Sequence, residues 1–364
     1  MSTMANSGEE QIAIRAPAQS GGLGASAYFG TPANTIVTLL CLALLALAAK
    51  VAVSWLVINA VFDGTPEDCK ASVGACWPYL TAKLRYMLFG IYPFEEQWRP
   101  LTATALFILA ITISCIPRLW SRWLLLGWVV LLPVLYLLMA GGAFGLAEVP
   151  TSQWGGLPLS FMLTFVGLVC ALPLGILLAL ARLSNLPAIR ILAVTFIELV
   201  RGVPLISILF MASVMLPLFM PDGVTIDKLL RAQVAIILFA AAYIAEIVRA
   251  GLQALPRGQT EAAQALGLHY WQYTFLVIIP QALKTVIPPL VSLFIGFFQD
   301  TTLVTIVGLL DFLNTVRTAL RDPNWQGIAV LEGYLFAAAV YFVFSALMGA
   351  YSRFLEKHFR VGYD

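Results

Sequence analysis

Apolar runs of about twenty residues recur along this chain, and they restrict its fold more than any other feature. A hydrocarbon core of about 30 Å takes roughly 20 apolar residues per helix. Candidate spans fall at about 36–58, 101–117, 123–146, 158–181, 203–220, 232–250, 286–310 and 329–351. In lipid every backbone polar group needs an internal partner, so only helices and closed barrels cross. Runs this long and this apolar exclude barrel strands. With 60% hydrophobic and only 11% charged residues, the chain also lies well outside the soluble range. The expected fold is an all-α polytopic membrane helix bundle of about eight transmembrane helices.

The basic residues set the expected orientation. With the N-terminus inside, Arg118, Arg122, Arg182, Arg190, Arg249, Arg257, Lys284, Arg353, Lys357 and Arg360 fall on one side. The opposite segments carry Asp63, Glu67, Asp68, Glu95, Glu96 and Glu148, with a minority of basic residues such as Lys83 and Arg99. The positive-inside rule then puts both termini in the cytoplasm. Residues 1–33 are polar and small and read as a disordered cytoplasmic tail before a signal-anchor helix. Residues 34–150 read as a three-helix extension with a periplasmic loop at 59–100, and 356–364 as a cytoplasmic tail. Trp77, Tyr79, Tyr86, Tyr92 and Trp98 in that loop suit a membrane-interface belt. Cys69 and Cys76 share the loop, where an oxidising compartment would allow a disulfide, although spacing alone does not fix the geometry.

One hydrophilic stretch interrupts the apolar second half. Glu261-Ala262-Ala263-Gln264-Ala265-Leu266-Gly267 is rich in strong helix formers, and Gly267 suits the left-handed position that stops a helix. An apolar-aromatic helix should follow from about His269 to Ile279, ahead of Pro280. The result is a cytoplasmic hairpin over 256–282, a handle for another protein.

Three further segments carry polar groups into apolar surroundings. Glu198-Leu199-Val200-Arg201-Gly202-Val203-Pro204 breaks a stretch too long for one straight span. Pro204 disfavours helix at Val203, so 188–200 reads as an interfacial helix and 203–220 as the span. Glu198 and Arg201 stand three apart and can pair, as a structural elbow or as part of a gate. Glu246, near the cytoplasmic end of its span, is expected to pair with Arg249. Gln299-Asp300-Thr301-Thr302 sits inside the span near 286–310. A carboxylate there costs roughly 2.5–3.5 kcal/mol on insertion scales. Asp300 therefore either faces a cavity on a substrate path, where the hydroxyls bind a zwitterion, or caps a broken helix through Thr301 or Thr302. The sequence has neither a Gly-rich phosphate loop nor a His-Glu-x-x-His metal motif. No catalytic residue, metal site or cofactor is expected in this chain.

Taken together, the Glu261–Gly267 hairpin ending at Pro280, the Arg-Gly-Val-Pro elbow, Ala-Glu-Ile-Val-Arg-Ala-Gly (245–251) and Asp-Thr-Thr-Leu (300–303) resemble the permease subunits of polar and general L-amino-acid ABC importers, the histidine/glutamine permease-like family. The first motif is similar to that family's EAA loop, with Val277-Ile278-Ile279-Pro280 as a conservative departure. The likeness covers 157–355 and implies a five-helix type-1 core in the bacterial inner membrane. It implies as partners an ATP-binding subunit dimer that holds ATP and Mg, a second homologous permease and a periplasmic amino-acid-binding protein. Glu261 would meet a basic residue of the ATPase, Ala262 and Ala263 would pack in its groove, and Gly267 would let the hairpin turn. Many family members carry Lys where this chain has Gln299. An ion-coupled amino-acid carrier or a non-transporting membrane scaffold remain the alternatives.

Overall fold

The computed structural model describes residues 28–221, 223 and 225–360, and the counts below refer to these. The expected disordered tail lies outside them over residues 1–27, as does the expected C-terminal tail over 361–364. Among the described residues six helices are long and apolar enough to cross a membrane. They are Pro32–Ile58, Arg122–Ala140, Gly156–Arg182, Lys228–Ala254, Ile287–Val307 and Val330–Phe359. A bent pair, Pro187–Gly202 and Leu205–Leu218, makes seven if it counts as one span. The expected number was about eight. The difference lies at 101–117, where the helix Trp98–Ser114 has 17 residues. At 1.5 Å per residue it spans about 26 Å, short of a typical hydrocarbon core.

Two compact units are present, and the first ends at Phe62 with Glu67–Ala75 added. In it α1 (Pro32–Val53) starts at Thr31, whose side chain accepts a hydrogen bond from the Asn34 amide, and none of its residues is buried. A π-turn at Ser54–Ile58 ends it. The chain then folds back, with Ala75 N donating to Trp55 O at 2.9 Å and Val61 N to Ala75 O at 2.8 Å. The short α2 (Pro66–Ala71) buries Cys69. Cys69 and Cys76 are both disulfide-bonded, whereas Cys41, Cys115 and Cys170 are free.

The second unit holds the rest of the described chain, including most of the segment read as an outward loop. There α3 (Pro78–Phe89) buries Tyr79, Met87 and Phe89. Tyr79 meets Trp325 edge-on at 5.7 Å, and the Met87 carbonyl accepts Thr315 Oγ1 at 2.6 Å. The Tyr92 hydroxyl, also buried, donates to Met139 O at 2.8 Å. Tyr79 and Tyr92 are therefore core residues and not part of an interface belt. Burial pushes the Tyr92 hydroxyl up to about 12, partly offset by Arg99.

The helices α4 (Trp98–Ser114) and α5 (Arg122–Ala140) follow. The end of α5 is closed by Arg99, which is fully buried. Its Nε donates to Leu138 O at 2.7 Å, Nη1 to Ala147 O at 2.8 Å and Nη2 to Met139 O at 3.3 Å. The last carbonyls of a helix have no intrahelical donor, and a guanidinium supplies several at once.

The centre of the unit is the pairing of α6 (Gly156–Arg182) with α9 (Lys228–Ala254). Small residues make the approach possible, as expected from Gly167, Ala171, Gly175, Ala179 and Ala240–Ala242. A Cβ on Gly175 would lie 2.6 Å from Ile244 Cγ2, so only glycine fits. Between them α7 (Pro187–Gly202) and α8 (Leu205–Phe210) bend by 101°. Val203 and Pro204 are both extended, which is the restriction a proline places on itself and its predecessor. Asp227 caps α9 by accepting from the Leu229 and Leu230 amides at 2.9 and 3.1 Å.

After α9 come α10 (Arg257–Ala265), α11 (Tyr270–Tyr273), α12 (Ile279–Thr285) and α13 (Ile287–Asp300). The chain then tightens into a 3-10 helix, Thr301–Val307. The two-residue β1 (Leu310–Asp311) lies parallel to Gly155 and Gly156 ahead of α14 (Phe312–Ala319). The last helix, α15 (Val330–Arg360), continues through the first part of the segment read as a tail. Near its start the buried Glu332 accepts the Cys76 amide at 2.6 Å.

Candidate functional site

The hairpin begins where α9 ends and turns at Gly267, whose φ is +78°. Leu268 N donates to Ala263 O at 3.2 Å and Gly267 N to Gln264 O at 2.9 Å. This is the Schellman pair of bonds, which closes a helix on a left-handed residue. A Cβ at Gly267 would meet nothing within 4 Å, so the glycine serves the backbone and not a contact. On the far side Gln272 Oε1 accepts from the His269 amide at 2.9 Å and starts α11.

The second arm passes through a π-turn, Thr274–Ile278, directly before Pro280. Proline has no amide hydrogen and pushes on the preceding turn, and a widened turn accommodates both defects. Gln281 Nε2 donates to Gln259 Oε1 at 3.2 Å and ties the arms together.

Glu261, Ala262, Gly267 and Pro280 are exposed. Ala263 is not: it is 4% exposed and faces into the chain. Ala262, its neighbour, is exposed. A helix turns by 100° per residue, so the two alanines point in different directions. The hairpin also exposes Leu266, Trp271 and Leu276, which the motif did not single out. Their exposure depends on how the arms lie, and no local pattern reports that.

Beside the root of the hairpin lies a cluster of five charged residues from α6, α7 and α9. Arg182 Nη1 lies 2.8 Å from Glu198 Oε1 and 3.4 Å from Glu246 Oε2. Arg201 Nη1 is 3.7 Å from Glu246 Oε2, with its guanidinium over the Tyr243 ring at 5.4 Å. Arg249 Nε donates to Glu246 Oε1 at 3.1 Å, the pair the sequence suggested. The expected Glu198–Arg201 pair does not form. Each instead finds a partner on another helix, because the 101° bend points α7 across the end of α6 and α9.

The third group sits at the break between α13 and the 3-10 helix. Thr301 is buried and its hydroxyl donates to Phe298 O at 2.8 Å. Asp300 is half-buried and makes no side-chain cap bond. Gln299 Nε2 lies 3.5 Å from Ser345 Oγ on α15, and Thr302 is half-buried. The helix break is therefore made by the backbone change to 3-10 geometry and not by the Asp300 carboxylate. Among the described residues no group of three or more His, Cys, Asp or Glu is placed to hold a metal ion.

Residues 171–361 match the family model described as binding-protein-dependent transport system inner membrane component. The chain belongs to this family. One relative of this inner membrane component is the inner membrane amino-acid ABC transporter permease protein YhdY of Escherichia coli (strain K12). It is 46% identical over 342 residues, covering 92% of this chain and 91% of the relative. The glutamate/glutamine/aspartate/asparagine transport system permease protein BztC of Rhodobacter capsulatus is 37% identical over 396 residues, 90% of this chain and 91% of its own length. A solved amino acid ABC transporter with histidines aligns with 30% identity and a TM-score of 0.49, over 56% of this chain and 92% of that one.

Within this inner membrane component the matched region starts inside α6 and takes in the charge cluster, the hairpin and the helix break. The helices α3, α4 and α5 precede it, yet share one compact unit with it.

Proposed function

We propose that this chain is the membrane-spanning permease subunit of an ATP-driven amino-acid importer. The observation that carries the reading is the hairpin: a polar, Gly267-turned handle joined directly to two long apolar helices. A carrier driven by an ion gradient has no use for such a handle. The two relatives, both amino-acid permeases by name, supply the substrate class.

The partners follow from the same reading. Two ATP-binding subunits hold ATP and Mg and grip the hairpins of this chain and of a second, homologous permease. A periplasmic binding protein delivers the amino acid. The chain is then a multi-pass inner-membrane protein with both termini cytoplasmic. Residues 157–355 form its five-helix core, the short α4 and the bent α7–α8 pair counting among its eight spans.

In operation, closure of the ATPases draws the two hairpins together. Glu261 and Ala262 meet the ATPase, and Ala263 keeps α10 seated on its own chain. The pull passes through α9 to the Glu246 cluster, where Glu198, Arg201 and Pro204 at the bend set the angle of α7. Gln299, Asp300, Thr301 and Thr302 line the path, which opens outward as the bundle turns. Hydrolysis resets it.

Single-cysteine variants of the assembled complex test the docking face. Ala262→Cys should cross-link to the ATPase with a short bifunctional reagent, whereas Ala263→Cys should not. Cross-linking at 263 without cross-linking at 262 would reverse the assignment. Purification of the chain without any ATPase would remove it.

A further inference from the structure

A cavity of about 200 Å³ lies between α4 and α5 on one side and α6 and α9 on the other. Its wall includes Phe107, Tyr136, Met139, Trp154 and Phe161, and Gln233 of α9. Gln233 is 6% exposed. Its Nε2 donates to Leu163 O at 3.3 Å, while its Oε1 is buried without a hydrogen-bond partner. The close packing of α6 on α9 holds this amide in place, since a Cβ on Gly167 would lie 3.1 Å from Gln233 Nε2.

A buried amide oxygen without a donor is costly, and the more so where no bulk water reaches it. Of the donors on the wall, the Tyr136 hydroxyl belongs to an exposed residue and two others are already engaged. Trp154 Nε1 donates to Val149 O at 3.2 Å and Thr104 Oγ1 to Pro100 O at 2.7 Å. A trapped water needs two to four polar partners, and among the lining residues Gln233 Oε1 is the one buried side-chain atom left without a partner. An amino-acid zwitterion needs charged or strongly polar groups at both ends, and none of the lining residues is charged. The space is ample for a hydrocarbon, since a dry apolar cavity of about 150 Å³ already holds a benzene-sized molecule.

We infer that this cavity binds a long-chain, membrane-partitioned molecule bearing a hydroxyl. The hydroxyl donates to Gln233 Oε1, and the hydrocarbon lies against Phe107 and Phe161. The ligand enters from the bilayer, and the site is separate from the amino-acid path at Asp300. It also gives α4 and α5 a role that the transport cycle leaves open, because they supply one wall and the transport core supplies the other.

Photolabelling of the purified complex in lipid nanodiscs tests this. Two probes of equal length are used, a diazirine-bearing dodecanol and its dodecane counterpart, with peptide mapping of the adducts. The alcohol should label 98–114 and 154–166, and unlabelled dodecanol should compete better than dodecane by about threefold to tenfold, the range of one net hydrogen bond. Gln233→Leu should abolish that preference while the hydrocarbon probe labels as before. Met162→Trp, which fills the cavity and leaves the Gln233 side chain itself unaltered, should block both probes. Equal competition by alcohol and hydrocarbon in the natural protein would overturn the inference. So would a preference that survives Gln233→Leu, or labelling that survives Met162→Trp.

Discussion

The Arg182 guanidinium lies 3.4 Å from the Glu246 carboxylate and joins the C-terminal end of α6 to α9, the helix that leads into the hairpin. Arg182 also holds Glu198 of α7 at 2.8 Å. Three helices that the bilayer would otherwise let slide are thus pinned at one level. Arg182 and Arg201 both occupy the last turn of their helices, where the helix dipole favours a cation.

Glu246→Gln should therefore do more than remove one ion pair. Isolated exposed pairs contribute about 0.2–1 kcal/mol, but this change leaves three guanidiniums with Glu198 as their one carboxylate. We expect a loss of about 1–3 kcal/mol together with ATP hydrolysis that no longer moves amino acid. Melting temperature and the ratio of ATP hydrolysed to substrate moved are the readouts. Unchanged values for both would show that the cluster is only a solvated surface.

Gly267→Ala tests the turn alone, because a Cβ there meets no neighbour. An L-residue held at φ +78° costs about 1–2 kcal/mol. Gly267→Asp adds a charge at the docking face. The alanine variant should keep partial transport and the aspartate variant should lose both transport and ATPase association, with each still inserted in the membrane. Full transport by Gly267→Asp would remove the hairpin from the coupling interface.

Asp311 supplies a dependence on pH. Burial pushes its carboxyl up to about 6, partly offset by the backbone amides of Leu313 and Asn314 and by Arg317. A folded-state value above the ordinary aspartate value of 3.8 means that the folded chain holds the extra proton. This contribution to stability is full below about pH 4 and is lost as pH rises through about 6, a difference of roughly 3 kcal/mol. Asp322 acts with the opposite sign, since its hydrogen bond to Lys83 at 2.6 Å keeps its carboxyl below the usual range. The difference between Asp311→Asn and the natural protein isolates the effect. Melting curves should show the variant gaining relative stability between pH 4 and 7, and a pH-independent difference would contradict the assignment.

How far the residues foretold these arrangements depends on how local each one is. Gly267 was legible because a left-handed helix stop needs only its own backbone. Pro204 marked the bend for the same reason. The cluster was half legible: Glu246 and Arg249 share one helix turn, whereas Arg182 and Glu198 meet only because α7 folds across α6. Ala263 and Ala262 look alike in sequence, and only the seat of α10 separates them. Tyr79 and Tyr92 resembled belt aromatics because the pattern of 59–100 did not show that α3 packs on α14. Arg99 looked like one more outward charge. Its role as the donor set for the end of α5 needed the third dimension. A helix break capped by Asp300 was one of two readings open in the sequence; the break is present, but the carboxylate makes no cap bond.

That leaves Asp300 without a cap bond to explain its presence in an apolar helix, which fits the proposal that it lines the path. Asp300→Asn should impair uptake while assembly with the ATPase persists, and comparison of acidic, neutral and basic amino acids should separate contact from gating. A loss confined to one charge class marks direct contact, and a uniform loss marks gating. Uptake of every amino acid at the natural rate would take the residue off the path.

The energy source is the central claim, and uptake into sealed vesicles tests it most directly. The chain, assembled with its ATPases, second permease and binding protein, should accumulate amino acid only when ATP is supplied to the hairpin side. Accumulation should persist when proton and sodium gradients are collapsed with ionophores. Uptake that follows the ion gradient and ignores ATP would contradict the account and return the chain to the ion-coupled carriers.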